Sequence, residues 1–158
     1  LVYLAALEKS KGKLIDEVRD FVEKTKLNIC HYFTVEDLHH LKRGGRISAS
    51  TAAIGSILGI KPILHVDDEG RLVGLSKIRG RKASIDILFN KAKDTAIDLP
   101  NQVVFISHGD CEDDAKYLAD SFKNKLGVKE VIINYVGPVI GGHSGPGTLA
   151  LFFVGNKR

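Results

Sequence analysis

Residues 61–79, KPILHVDDEGRLVGLSKIR, place two apolar-rich runs on either side of Asp67-Asp68-Glu69-Gly70. Acidic residues and glycine tolerate the backbone of a tight turn, so the stretch reads as a β-hairpin. A hairpin pairs its strands antiparallel. The sheet it opens is therefore expected to be mixed or largely antiparallel, and with helices around it the fold class is α/β.

Working outward, the apolar period changes repeatedly. Downstream, Ile85, Leu88, Phe89, Ala92 and Ala96 recur at helical spacing, QVVFIS (102–107) has the form of a buried strand, Ala115, Leu118, Ala119, Phe122 and Leu126 mark a second helix, and EVIINYV (130–136) a further strand. Gly127 stands where a helix commonly ends on a left-handed residue. VGPVIG (136–141) and TLALFFVG (148–155) are two more apolar runs. Upstream, Leu14, Ile15, Val18, Phe21 and Val22 form a helical stripe over residues 12–26. NICHYFTV (28–35) predicts a short strand. Thr34 and Asp37 resemble a capping box that opens a helix through EDLHHLKR (36–43), closed by Gly44-Gly45. A further helix is expected from about Ser48 to Leu58. Composition changes near Ile60, so a boundary is expected there, between a mainly helical 1–59 and a 60–158 sheet covered by two helices.

The chain has 158 residues, of which 44% are hydrophobic and 27% charged, a composition that supplies one ordinary core. A net charge of +4 and a pI near 9.0 would suit an acidic partner, but basic residues are scattered among 19 acids and aromatics are 7%, so no nucleic-acid-binding stripe stands out. Cys30 and Cys111 lie far apart in unlike contexts, which fits reduced thiols, and no CxxC pair points to a metal. No apolar run approaches the roughly 18 residues of a membrane span, and no basic-then-apolar leader opens the chain. The expectation is a cytoplasmic protein without integral membrane contact. The chain opens on the helix-prone LVYLAALEKS and contains no methionine, which reads as a piece of something longer.

One histidine stands out. VGPVIGGHSGPGTLALFFVG (136–155) puts His143 in a glycine-rich segment with Gly142, Ser144 and Gly145. The final glycine of a G-x-S-x-G elbow is missing, and so is the lysine of a phosphate loop. Two readings stay open: a wide glycine hairpin whose histidine bonds backbone, or a bare surface on which a ligand's polar head meets the imidazole. Arg46 leaves a rigid corner after the double glycine in LKRGGRIS, and is either a structural salt bridge or an anion-recognising fork. Lys42 and Arg43 are read as solvated charges at a helix C-terminus. His39, His40 and His65 are mostly structural. SHGDCEDD (107–114) collects His108, Asp110 and Cys111, a poor metal geometry in which Asp110 suits a helix N-cap. Lys77, Arg79 and Arg81 would share one face of the second hairpin strand, either a wet sheet face or a docking ridge.

Taken together, FTVEDLHHLKRGGRIS, GIKPIL with DDEGRL and SKIRGRKAS, FISHGDCEDDA and GPVIGGHSGPGTLAL resemble, in order and spacing, the C-terminal part of the DegV family of bacterial fatty-acid-binding proteins. The resemblance covers nearly the whole chain from about residue 12. It implies a two-domain fold, with residues 1–59 as the end of the first domain and a helical connector, and residues 60–158 as the C-terminal domain. It implies an acyl chain buried within or beside the first domain, with its carboxyl group near the interface. His143 and Arg46 would hold that carboxylate, directly or through bridging groups, together with Ser and Thr hydroxyls from the first domain that this chain lacks. Lys77, Arg79 and Arg81 would face a fatty acid kinase, which phosphorylates the presented long-chain fatty acid to acyl phosphate for phospholipid metabolism. On this reading the protein is a carrier, not an enzyme, and needs no cofactor or metal of its own. The competing classes are a phosphotransferase or hydrolase using His143 and Arg46, distinguished by turnover without a partner, and a stand-alone regulatory domain.

Overall fold

The computed structural model describes residues 1–48, 59–156 and 158. Helices α1 (Val2–Ser10) and α2 (Ile15–Thr25) lead through a short 3₁₀ turn into strand β1 (Ile29–Thr34) and helix α3 (His39–Arg43). Strands β2 (Ile60–Val66) and β3 (Leu72–Arg79) follow, then α4 (Arg81–Thr95), β4 (Val103–His108), α5 (Glu112–Leu126), β5 (Glu130–Tyr135), α6 (Pro138–Ser144) and β6 (Leu149–Val154). The six strands form one sheet in the order β3-β2-β1-β6-β4-β5. Every neighbouring pair is antiparallel except β4 and β5, which are parallel and joined through α5. The mixed, largely antiparallel sheet covered by helices is therefore the one the hairpin predicts.

Strand periodicity divides the sheet into two faces. In β6, Leu149, Leu151 and Phe153 are buried while Ala150, Phe152 and Val154 are half-buried. The first set joins Ile63, Val104 and Ile106 beneath α4 and α5, which contribute Ile85, Leu88, Leu118 and Phe122 to one continuous core. Each such side chain stabilises the fold by about 1.5–3 kcal/mol. On the opposite face, Phe33, Val35 and Leu64 form a smaller cluster with Leu38 and Leu41 of the α3 corner. Among the described residues the rest of that face is partly covered by Val139 and Ile140 of α6 and by α1, whose Tyr3 meets Phe105 edge-on at 5.3 Å.

Several expectations change. The sheet crosses the expected 59/60 boundary: β1 lies between β2 and β6, paired with β6 along its whole length, so the sheet core requires residues before 60. The stripe predicted over 12–26 forms α2, which begins at Ile15 and opens with Glu17 accepting the Leu14 N–H at 2.8 Å. Val18, Phe21 and Val22 of that stripe are half-buried, with Lys13 over the Phe21 ring, while Leu14 is 72% and Ile15 81% exposed. Thr34 ends β1 and does not cap α3; instead Asp37 accepts the His39 N–H at 2.6 Å. The run VGPVIG (136–141), one flank of the possible glycine hairpin, instead leads into helix α6 (Pro138–Ser144), with Gly137 as N-cap and Pro138 at the first position, where a missing N–H costs nothing. Asp110 is not the cap of α5 but precedes the capping residue Cys111, in a left-handed conformation. From residue 49 on, the helix expected over about Ser48 to Leu58 lies outside the described residues.

Candidate functional site

Two loops meet at the end of the sheet where β1 leaves and β6 enters. The α3 corner is pinned from below by Leu38 and Leu41, 3% and 2% exposed, and turns sharply as the Arg46 N–H bonds the Leu41 carbonyl at 2.8 Å. The α6 loop is fastened to the end of β4, because Gly109 donates to the Thr148 carbonyl and Gly147 donates to the Gly109 carbonyl. Thr148 adds a hydroxyl bond to the Gly145 carbonyl at 2.7 Å. A third tie comes from buried Lys61, whose ammonium pairs with the Glu36 carboxylate and also donates to the Glu36 carbonyl at 3.1 Å. Glu36 in turn lies against Gly147.

The loops interlock through imidazoles seated on glycines. A Cβ built on Gly44 would overlap Nδ1 of His143 and lie 3.1 Å from its Cγ. Reciprocally, a Cβ on Gly145 would come within 2.5 Å of the His40 ring. Each loop therefore needs a bare backbone where the other inserts its histidine. His40 is further held by Arg43, whose Nη2 lies 3.1 Å from the His40 Nδ1. So His143 and Arg46, nearly a hundred residues apart in sequence, stand at one place.

That place is the rim of a cavity of about 390 Å³ on the open sheet face. Phe33, Leu41, Val66, Leu72, Val139, Ile140, Ala150 and Phe152 make it apolar, while Arg46 and His143 are among the few polar groups that line it. Arg46 is exposed, and its Nη1 donates to the Gly44 carbonyl at 2.7 Å. Among the described residues no carboxylate pairs with it, which removes the salt-bridge reading as far as those residues go. Ser144 gives its hydroxyl to the Ile140 carbonyl at 2.8 Å, and no base touches it. An apolar pocket with one unneutralised guanidinium and one imidazole at its rim can hold an anionic head and an apolar tail.

The other predicted residues lie elsewhere or act structurally. Lys77 and Arg79 are exposed on β3. Their neighbour Ile78 packs into the helix-covered core, so alternation turns Lys77 and Arg79 to the same open face as the cavity. Pairing of Lys77 with Pro62 and Arg79 with Ile60 puts them toward the Arg46 end. Arg81 does not share that ridge. It opens α4, where its Nε donates to Asp114 at 2.7 Å and its Nη2 lies 3.4 Å from the Cys111 sulfur. His108 is 2% exposed, accepts the Cys111 N–H through Nδ1, and packs on Tyr135. Burial pushes the Cys111 thiol above its usual range and Cys30 to about 11, so neither is an activated nucleophile. Among the described residues no three His, Cys, Asp or Glu side chains are grouped to hold a metal, and no helix is long and apolar enough to cross a membrane.

Sequence reasoning missed His31. It sits in the middle of β1 on the open face, edge-on to Phe152 at 5.4 Å, and lines the cavity. Burial first, then the charges of Arg158 and the chain's amino terminus, lower its pKa to about 4, so it stays neutral. The available signal was parity: His31 and Phe33 share a strand face that the register sets against Phe152 and Ala150 of β6.

A family model described as an uncharacterised protein of the DegV family matches residues 1–156. A DegV domain-containing protein of Clostridium perfringens is 50% identical over all 158 residues, which make up 54% of its length. A DegV family protein from Thermus thermophilus, whose structure is described in terms of fatty acid binding, superposes with a TM-score of 0.81 at 26% identity, covering 98% of this chain and 55% of that one. The fold is shared by the Streptococcus pneumoniae fatty acid kinase B3 protein loaded with linoleic acid, with a TM-score of 0.88 at 16% identity over 98% of this chain and 54% of that one. The chain thus spans about half the length of the relatives it matches. With the interlocked GGR and GHSGPG loops in place and the match running from end to end, the chain belongs to the DegV family.

Proposed function

We propose that this chain is the C-terminal part of a fatty acid carrier, that Arg46 and His143 recognise the carboxylate of a long-chain fatty acid, and that the carrier presents its ligand to a fatty acid kinase. The observation that carries the reading is the unneutralised Arg46 beside His143 at the rim of an apolar cavity. Related structures support it: the Thermus thermophilus protein is described for fatty acid binding, and the Streptococcus pneumoniae protein as the B3 protein of a fatty acid kinase. The chemistry of phosphoryl transfer would then belong to the kinase, which explains why Ser144 needs no base. Residues 1–28, in which Leu14 and Ile15 stand exposed, would complete the first domain. The far-separated cysteines Cys30 and Cys111, which are not joined in a disulfide, suit a cytoplasmic location.

The test is made on the full-length protein. Purified from bacteria and examined by native mass spectrometry with lipid extraction, it should carry fatty acid, or take up palmitate when stripped. Arg46→Ala and His143→Ala should stay folded and each weaken binding by about 1.5–3 kcal/mol, the value of a charge-assisted hydrogen bond. An empty protein that refuses palmitate and oleate would overturn the carrier reading, and variants that bind as wild type does would return both residues to a structural role.

A further inference from the structure

The open sheet face does not end at the Arg46 cavity. His31 and Phe152 line that cavity and also a second one of about 460 Å³, which runs on between α1 and the sheet with Ile29, Phe105 and Tyr3 in its walls. At the far end stand Lys26 and Arg158. Lys26 is paired with Glu23 at 2.6 Å. Arg158 is held differently: its Nε donates to the Ile29 carbonyl and its Nη1 to the Asp67 carbonyl, each at 3.2 Å, while the Asp67 carboxylate is taken by Arg71 at 2.8 Å. Among the described residues Arg158 is thus a cation fixed by main-chain carbonyls and matched by no acidic side chain. Among the described residues the groove thus has at each end a guanidinium with no acidic side chain paired to it, and the neutral His31 lies between them.

A monocarboxylic acid needs one such end. The β1–β6 register runs from Thr34 opposite Leu149, beside the Arg46 site, to Ile29 opposite Val154, beside Arg158. Those five steps cover roughly 17 Å at about 3.4 Å per residue. An extended polypeptide advances about 3.5 Å over three bonds, or about 1.2 Å per bond, so an extended carbon chain of about 14 bonds spans the groove. Resting on the fatty-acid reading above, we propose that the groove accepts long-chain α,ω-dicarboxylic acids, with one carboxylate at Arg46 and His143 and the other at Arg158. Without a cation at the far end, a second ionised carboxylate would be shut out by the cost of burying it unpaired.

The inference is tested by calorimetry on the delipidated full-length protein with palmitate and hexadecanedioate, which have the same carbon count. The expected result is one hexadecanedioate per protein, bound within tenfold of palmitate. Arg158→Gln keeps donors for the Ile29 and Asp67 carbonyls but removes the charge, and should lower the hexadecanedioate-to-palmitate affinity ratio tenfold or more. Arg158→Lys should keep the ratio near wild type, which guards against misfolding of the first variant. If palmitate binds but hexadecanedioate is more than tenfold weaker, if the ratio ignores the charge at 158, or if two acids bind per protein, the dicarboxylate inference falls alone. Failure of palmitate to bind would remove the fatty-acid reading and this one with it.

Discussion

Gly44 isolates the contribution of one imidazole. Its φ of −75° is open to any residue, so Gly44→Ala carries no backbone penalty and the only new atom is the Cβ that overlaps His143. The variant should melt within a few degrees of wild type yet lose fatty acid affinity about as far as His143→Ala does, as calorimetry on full-length protein would show. Gly145→Ala should behave differently. At φ 78° and against His40 it is strained as well as crowded, and destabilisation should dominate. His31 gives the pH dependence. Its folded pKa of about 4 lies below the ordinary 6.5, so protonation favours the unfolded chain. The stability is complete above about pH 6.5 and declines as the pH falls toward 4. In melts between pH 7 and about pH 4.5, His31→Phe should flatten that decline, and an unchanged slope would show that His31 does not titrate in this environment. The sequence makes Arg46 and His143 legible as candidates because each follows glycines. It hides His31, whose importance depends on which strands flank β1.

Elements with a clear period were easy to read: the β2–β3 hairpin, α4, α5 and the strands between them all follow from apolar spacing within one short window. Element α6 was not, because Gly141 and Gly142 argue against helix locally, and the fastening of its flanks to β4 helps to hold it. The place of β1 was equally hidden, since NICHYFTV predicts a strand but not that it lies mid-sheet. At the same scale the basic ridge reduces to Lys77 and Arg79, because Arg81 is committed to Asp114. On the carrier reading, Lys77→Glu with Arg79→Glu should slow acyl phosphate formation by the kinase, mostly by slowing association and most strongly at low salt, while palmitate affinity stays the same. Equal rates for variant and wild type across salt concentrations would remove β3 from the docking surface.

For the whole molecule, the balance between the two sheet faces decides what this chain can do alone. The face under α4 and α5 is closed by a continuous core that includes Leu88, Val104, Leu118 and Phe122, all fully buried, and this core suffices for a folded unit. The other face carries the groove, over which α1, the α3 corner and α6 reach only in part among the described residues, and Val2, Val139 and Ile140 in its lining stand exposed. Since the chain covers 54% of its Clostridium perfringens relative, the remaining walls of the pocket are expected from the other half. Each methylene left without a wall forfeits about 0.8 kcal/mol, so five of them forfeit roughly 4 kcal/mol, nearly a thousandfold in affinity. The 158-residue chain should therefore fold cooperatively yet bind palmitate at least a hundredfold more weakly than the full-length protein, and the exposed Leu14 and Ile15 at the start of α2 should favour self-association at high concentration. Calorimetry of both proteins with palmitate, alongside sedimentation of the shorter one, measures this. Matching affinities would place the whole acyl pocket within these residues, and the open face would then have to close over its ligand without a second domain.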